Sequence, residues 1–165
     1  MAVIFRTTVL LGLIAVASAG TSWAQTRTAT MTATIAAVAR LSLSPTTISF
    51  PDANPDTLPQ VPANPGPISI TTKARAPLNS TVTLTLRASD NLRSGVTTLP
   101  ASRITWTATG AGFGAGTLSA TTAQTVGSWT GSGVRTGTQS FLFANAWTLP
   151  TGTYSTTMLY TLSVP

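Results

Sequence analysis

Alternation of apolar and polar side chains, with a period of two residues, is the feature that most constrains the fold of this chain. In residues 81–88, valine, leucine and alanine occupy the even positions, and threonines and an arginine occupy the odd ones. In residues 154–164 the even positions are again mostly apolar, whereas most odd positions carry hydroxyl groups. This period is typical of β-strands with one buried and one solvent-facing side.

The same alternation runs through residues 29–43, where alanine, methionine, isoleucine and leucine hold the odd positions. This run is longer than a usual strand of about 5–6 residues, so we expect two strands here or one that changes sheets. Shorter segments predict further strands at residues 47–50, 68–72, 103–109 and 138–144, with weaker candidates at 116–120 and 126–130.

Turn-forming residues separate these segments. Residues 51–67 contain six prolines, and we expect no β-ladder there because proline lacks a backbone N–H. Residues 110–116 alternate glycine with other residues and predict a hairpin loop. Seven or more short strands with turns at this spacing predict an all-β fold, a single immunoglobulin-like antiparallel β-sandwich. The predicted core positions are Ile35, Leu41, Leu43, Phe50, Val82, Leu84, Leu86, Ile104, Trp106, Phe141, Phe143, Tyr154, Met158, Tyr160 and Leu162.

The first 24 residues have the pattern of a secretory signal peptide. Arg6 is their one cation, an apolar run covers residues 9–19, and Ser22-Trp23-Ala24 forms a cleavage site. The apolar run is shorter than the roughly 20 residues that a membrane span needs. We therefore predict a signal peptide at residues 1–24 and a secreted or cell-surface β-sandwich domain at residues 25–165, without a transmembrane segment.

The inventory of reactive residues argues against an enzyme. The chain has no histidine, cysteine or glutamate, so imidazole bases, thiolate nucleophiles and the usual transition-metal ligands are excluded. Asp52 and Asp56 leave open a calcium or paired-carboxylate site, although an Asx turn in a solvated loop explains them more simply. Lys73 could act as the base of a Ser–Lys catalytic dyad, but no serine motif of that kind surrounds it. We predict no catalytic residue, no cofactor and no metal site.

Cations exceed anions in this chain. Eight arginines and lysines but only three aspartates follow residue 24, and the cations occur singly along the sequence. Nucleic-acid binding proteins instead cluster their cations and add stacking aromatics, so we predict no nucleic-acid partner. The positive charge favours solubility or attraction to anionic envelope polymers.

Three tryptophans follow the leader. Trp106 stands at an inward position of an alternating segment, which predicts a place in the core. Trp129 and Trp147 flank a segment rich in glycine, serine and threonine. They are either at the edge of the core or a stacking platform for a glycan or peptide, because aromatic faces supply contact area at low entropic cost.

Trp147-Thr148-Leu149 resembles the first motif of the WxL domain of bacterial cell-surface proteins. The second motif of that family is Tyr, three residues, an aliphatic residue and Thr-Trp-x-Leu, followed by Pro. Residues 154–165 resemble it, with Met158-Leu159-Tyr160 in place of the aliphatic residue, Thr and Trp. The resemblance implies non-covalent attachment to peptidoglycan, with Trp147 and Leu149 as contact residues.

Gly152-Thr153-Tyr154 and the alternating segment after it are similar to spore-coat-U-type and other chaperone–usher pilin domains, whose usual cysteine pair this chain lacks. The resemblance implies an incomplete immunoglobulin-like sandwich that a neighbour's N-terminal strand completes. Residues 28–35, with Met31 and Ile35 as large apolar residues, have the pattern of that donor strand; an ordinary first strand of the same sandwich is the alternative.

These observations predict a non-enzymatic structural or adhesive subunit of a cell-surface layer or filament. The alternative is a binding module for an envelope polymer, either peptidoglycan or another glycan. The predicted partners are neighbouring copies of the chain or other surface subunits.

Overall fold

The structure, a computed structural model, describes residue 25 and residues 27–165. The predicted signal peptide lies outside these residues. The chain divides into two compact units, Met1–Thr34 and Ile35–Pro165. The described residues of the first unit contain no helix or strand, and every strand below belongs to the second. Over the described ranges, no helix has the length and apolar character of a membrane span.

The second unit is built from β-strands and one short 3-10 turn, Ala101–Arg103. The strands are β1 (Val38–Ser44), β2 (Gln60–Pro62), β3 (Ile68–Arg75), β4 (Thr81–Ala88), β5 (Leu92–Ser94), β6 (Thr97–Leu99), β7 (Ile104–Thr109), β8 (Gly116–Thr117), β9 (Gln124–Thr130), β10 (Gly133–Ala144) and β11 (Met158–Ser163). The prediction of an all-β fold is confirmed.

Two antiparallel sheets form the sandwich. The larger has the order β1-β3-β10-β7-β8, and β2 also pairs with β10. The smaller has the order β11-β4-β9, and β5 and β6 form a separate hairpin. The chain therefore passes between the sheets after β3, before β7, after β8, after β9 and after β10.

Period-two alternation places the core between these sheets. The even residues of β4, from Val82 to Ala88, are fully buried, and the odd residues are not. Trp106 of β7 is buried on the facing sheet, where its ring lies 6.1 Å from that of Phe141. Apolar side chains of both sheets belong to one buried cluster, as a β-sandwich requires.

Several predictions about the chain before β3 are wrong. Residues 47–50, predicted as a strand, form an isolated bridge and no strand. Ile35 is 72% exposed and not in the core. The register explains this, because Val38 pairs with Arg75, the last residue of β3, so the residues before Val38 run past the end of that ladder. The alternating run 29–43 thus contains one strand, β1, which begins at Val38 and ends at Ser44, one residue beyond the run.

The proline-rich stretch does contain a ladder, contrary to prediction. β2 pairs with residues 142–144 of β10, where β10 has run past its pairing with β3. Pro62 ends this strand and Pro59 precedes it, whereas Val61 at its centre is buried. A three-residue strand outside the main path of the sheet tolerates a terminal proline, because few ladder bonds depend on its N–H.

Candidate functional site

The free edge of β11 is the most distinctive feature of the sandwich. β11 pairs with β4 on one side, and among the described residues no strand pairs with its other side. The backbone N–H of Ser89 donates to the carbonyl oxygen of Thr157 at 2.8 Å, so this pair, in register with the β4–β11 ladder, is hydrogen-bonded. Hydrogen-bonded pairs alternate along an antiparallel ladder. Leu159, Thr161 and Ser163 therefore direct their backbone groups toward β4.

The backbone groups of the even residues of β11 point away from β4. The N–H and C=O groups of Met158, Tyr160 and Leu162 point to the free edge, while their side chains pack against the core. These side chains are only half-buried, whereas the inward residues of the adjacent β4 are fully buried. The edge of β11 thus combines a row of available backbone groups with incompletely covered apolar side chains.

β1 is the edge strand of the larger sheet on the same side of the sandwich. Its inward residues Leu41 and Leu43 are also half-buried and pack against the core. β1 and β11 are not paired with each other, and an open cleft of about 370 Å³ lies between the start of β1 and the end of β11. The cleft is lined by Ala37, Val38, Ala39, Leu162, Ser163 and Val164. We call the β11 edge together with this cleft the open edge.

A hydrogen bond between the sheets supports the open edge from inside. The hydroxyl of Tyr160 donates to Oε1 of Gln139, a fully buried residue of β10, at 2.6 Å. Burial of Tyr160 raises the pKa of its phenol above the ordinary value, because the charged phenolate would lose its hydration. Tyr160 therefore ties β11 to the larger sheet as a neutral hydrogen-bond donor.

The predicted donor residues lie before β1. Met31, in the first unit, is 96% exposed, and Ile35 is exposed in the second. Residues 27–37 have no assigned strand, although their sequence alternates as a strand would. Both large apolar side chains are thus available for contact.

The two candidate tryptophans have different environments. Trp129 is 8% exposed and lies 6.1 Å from the ring of Phe113, which agrees with the core alternative. Trp147 is 69% exposed, and its indole N–H donates to Oδ1 of Asp56 at 2.9 Å. Leu149 is half-buried against the core. Of the two candidate tryptophans, only Trp147 therefore presents an open aromatic face.

The three aspartates lie in loops. Asn54 Oδ1 accepts the backbone N–H of Asp56 at 2.9 Å, the local geometry of an Asx turn. Asp90 accepts a hydrogen bond from Arg93 at 2.7 Å, and this contact holds the pKa of its carboxyl below the ordinary value. Within the described ranges, no three residues of the types His, Cys, Asp and Glu group together as metal ligands would.

Sequence reasoning singled out Met31, Ile35 and Trp147 but not the free edge of β11. No local signal marks that edge, because a period of two identifies the buried side of a strand and not the strand beside it. No known protein family matches this sequence, and no curated protein is significantly similar to it.

Proposed function

We propose that this chain is an exported, non-enzymatic structural subunit of a cell-surface filament or layer, which accepts a strand from a neighbouring copy at its open edge. The observation that carries the proposal is the free edge of β11, with its outward backbone groups and half-buried apolar side chains. An exposed edge of this kind is a template for pairing with another chain.

The strand order supports an immunoglobulin-like sandwich that lacks its last strand. In that fold one sheet has the order A-B-E-D, and the other contains C, F and G with G beside F. The order β1-β3-β10-β7 corresponds to A-B-E-D, and β4 and β11 correspond to C and F. Among the described residues, no strand follows β11 at the position of G. An added strand at the open edge would therefore complete this fold.

Residues 28–35 are the occupant that we propose, supplied by a second copy of the chain. Their odd positions, Ala29 to Ile35, are apolar and include Met31, and a strand of eight residues spans about 26 Å. Ala29 and Ala33 alternate with the two large side chains on this side, and such small side chains suit insertion between half-buried edge strands.

Insertion of this segment into the cleft of its own subunit would require a reversal just before β1. Residues 34–40 contain no glycine, proline, asparagine, aspartate or serine, the residues that favour tight turns. Donation to another copy needs no such turn. Donation between successive copies would join the subunits into a chain.

Two double variants, which place the same charges on opposite sides of the segment, test this proposal. Met31→Asp with Ile35→Asp places charges on the side that would enter the cleft, and Thr30→Asp with Thr34→Asp places the same charges on the opposite side. We expect the first variant to remain a folded monomer and the second to form filaments, as seen by electron microscopy and light scattering. Equal assembly by both variants would contradict the proposal.

Deletion of residues 26–34 provides a second test. If the segment is donated, circular dichroism will show that the truncated protein stays folded, but it will not assemble. A synthetic peptide of residues 26–37 should then bind the truncated protein and raise its melting temperature. If the truncated protein unfolds, the segment belongs to its own subunit and donation is excluded.

Binding of an envelope glycan is a second candidate function, which the geometry of Trp147 favours. An aromatic face held in one orientation by Asp56 is suited to stack against a sugar ring. In a pull-down with purified cell wall, we expect monomeric protein to be retained and Trp147→Ala to reduce retention. Retention that is unchanged in Trp147→Ala would remove this residue from the candidate site.

A further inference from the structure

Three cationic side chains lie close together on the solvent-facing side of the larger sheet. Arg40 of β1 is directly opposite Lys73 of β3 in the antiparallel register. Arg75 is two residues beyond Lys73 on the same strand and therefore on the same side of the sheet. All three are exposed. We call these residues the basic patch.

Among the residues that the structure describes, no acidic side chain forms an ion pair with the basic patch. Across the ladders, Arg75 is opposite Val38 and Lys73 is opposite Val134, and the next outward row along the strands carries only hydroxyl side chains. The chain's three aspartates lie in loops elsewhere, where Asp56 accepts the Trp147 indole and Asp90 pairs with Arg93. Like charges directly opposite one another in a sheet are unfavourable, so the patch carries an electrostatic cost that an anionic partner would remove.

The opposite end of the larger sheet carries charges of both signs. β10 starts beside the patch, with Val134 opposite Lys73, and ends at Ala144, about 33 Å away along the strand. At that far end Asp56 accepts the indole N–H of Trp147, and Arg103 donates to the carbonyl oxygen of Ala144. That end therefore does not present acidic groups alone.

Hydroxyl groups adjoin the patch in a regular row. Ser42, Thr71 and Thr136 are opposite one another on three neighbouring strands, and this row lies directly beside the row that contains Arg40 and Lys73. Hydroxyl side chains both donate and accept hydrogen bonds, as the hydroxyls of a sugar do. The outward positions of these two rows carry no aromatic residue on which a nucleic-acid base would stack.

We propose that the basic patch and its hydroxyl row bind an acidic polysaccharide. The cations contact its anionic groups, and Ser42, Thr71 and Thr136 contact its neutral hydroxyls. Cations two residues apart along a strand are about 6.7 Å apart, so successive charged sugars of an extended chain reach different side chains. This binding uses neither the open edge nor residues 28–35, and it is therefore independent of assembly.

The test is the affinity of the full mature chain for polygalacturonate, a carboxylated polysaccharide, measured by biolayer interferometry with neutral dextran as the reference. Arg40→Gln with Lys73→Gln is compared with the charge-matched control Arg87→Gln with Arg93→Gln. We expect the first variant to weaken binding about tenfold and the control to change it by less than about twofold. Raising the NaCl concentration from about 50 to about 300 mM should also weaken binding by the unaltered chain.

Three results would overturn the proposal. Equal losses in both variants would mean that net charge and not the patch binds the polymer. Binding of dextran as tight as that of polygalacturonate would exclude recognition of anionic groups. Binding of double-stranded DNA as tight as that of polygalacturonate, at equal charge concentration, would replace the polysaccharide with nucleic acid. Circular dichroism should show both variants folded, because the residues exchanged are exposed.

Discussion

Replacement of Gly116 by alanine tests how tightly the core is packed around Trp106. Gly116 is in β8 and lies opposite Trp106 of β7. A Cβ atom at this position would lie 2.8 Å from Cη2 and 2.9 Å from Cε2 of the indole ring. Non-bonded carbon atoms prefer separations of about 3.5–4.0 Å, so the ring would have to move.

Trp106 has little freedom to move. Its side chain is buried, its ring packs against Phe141, and its indole N–H donates to the carbonyl oxygen of Gly114 at 2.9 Å. Overpacking of a rigid core typically costs about 1–3 kcal/mol. Alanine also restricts the unfolded chain, which offsets about 0.4–1 kcal/mol of that cost. We therefore expect Gly116→Ala to lower the free energy of unfolding by about 1–2 kcal/mol.

Gly114→Ala is the matched control. No atom lies within 4 Å of a Cβ at position 114, and the hydrogen bond to Trp106 uses only the backbone there. We expect this variant to be as stable as the unaltered chain or about 0.4–1 kcal/mol more stable. Urea denaturation followed by circular dichroism measures both changes. Equal stability of the two alanine variants would refute the packing argument.

Further predictions concern the core and Tyr160. Leu84→Ala, at a fully buried position, should cost about 2–5 kcal/mol in urea denaturation, whereas Leu159→Ala, at a position 41% exposed, should cost less than about 1 kcal/mol. Tyr160→Phe should cost about 1–3 kcal/mol at neutral pH, because it leaves the buried Gln139 Oε1 without its donor. Burial raises the pKa of Tyr160 in the folded state, so the unaltered chain should lose stability as the pH rises above the unfolded value of about 10. That loss should be smaller in Tyr160→Phe; an identical alkaline profile would contradict the assigned cause.

The side of each strand that faces the core could be predicted from the sequence. Residues 81–88 alternate over their whole length, and β4 has those bounds and that buried side. Trp106 was predicted inside because it shares an alternating segment with Ile104, and both are buried. These predictions succeed because the period of a pleated strand is a local property of the backbone.

Where the sequence misled, pairing between distant residues decided the outcome. The alternation at Ile35 is as regular as that at Leu41, yet β1 begins only at Val38 because β3 ends at Arg75. The prolines around Val61 indicated a loop, yet the end of β10 supplies a partner for three residues there. A segment forms a strand only where a partner strand is available, and the local sequence pattern does not indicate the position of that partner.

The sequence by itself determined which reactive residue types are absent and which face each strand buries. Both follow from residue identity and spacing, which need no knowledge of neighbours. Only the tertiary structure decided which edge is unpaired, since β11 and β4 are joined across more than 60 residues of intervening chain. It likewise brought Arg40 opposite Lys73 and left Trp147 exposed beside Asp56. Sheet order depends on the packing of the whole sandwich, and the open edge and the basic patch both depend on that order.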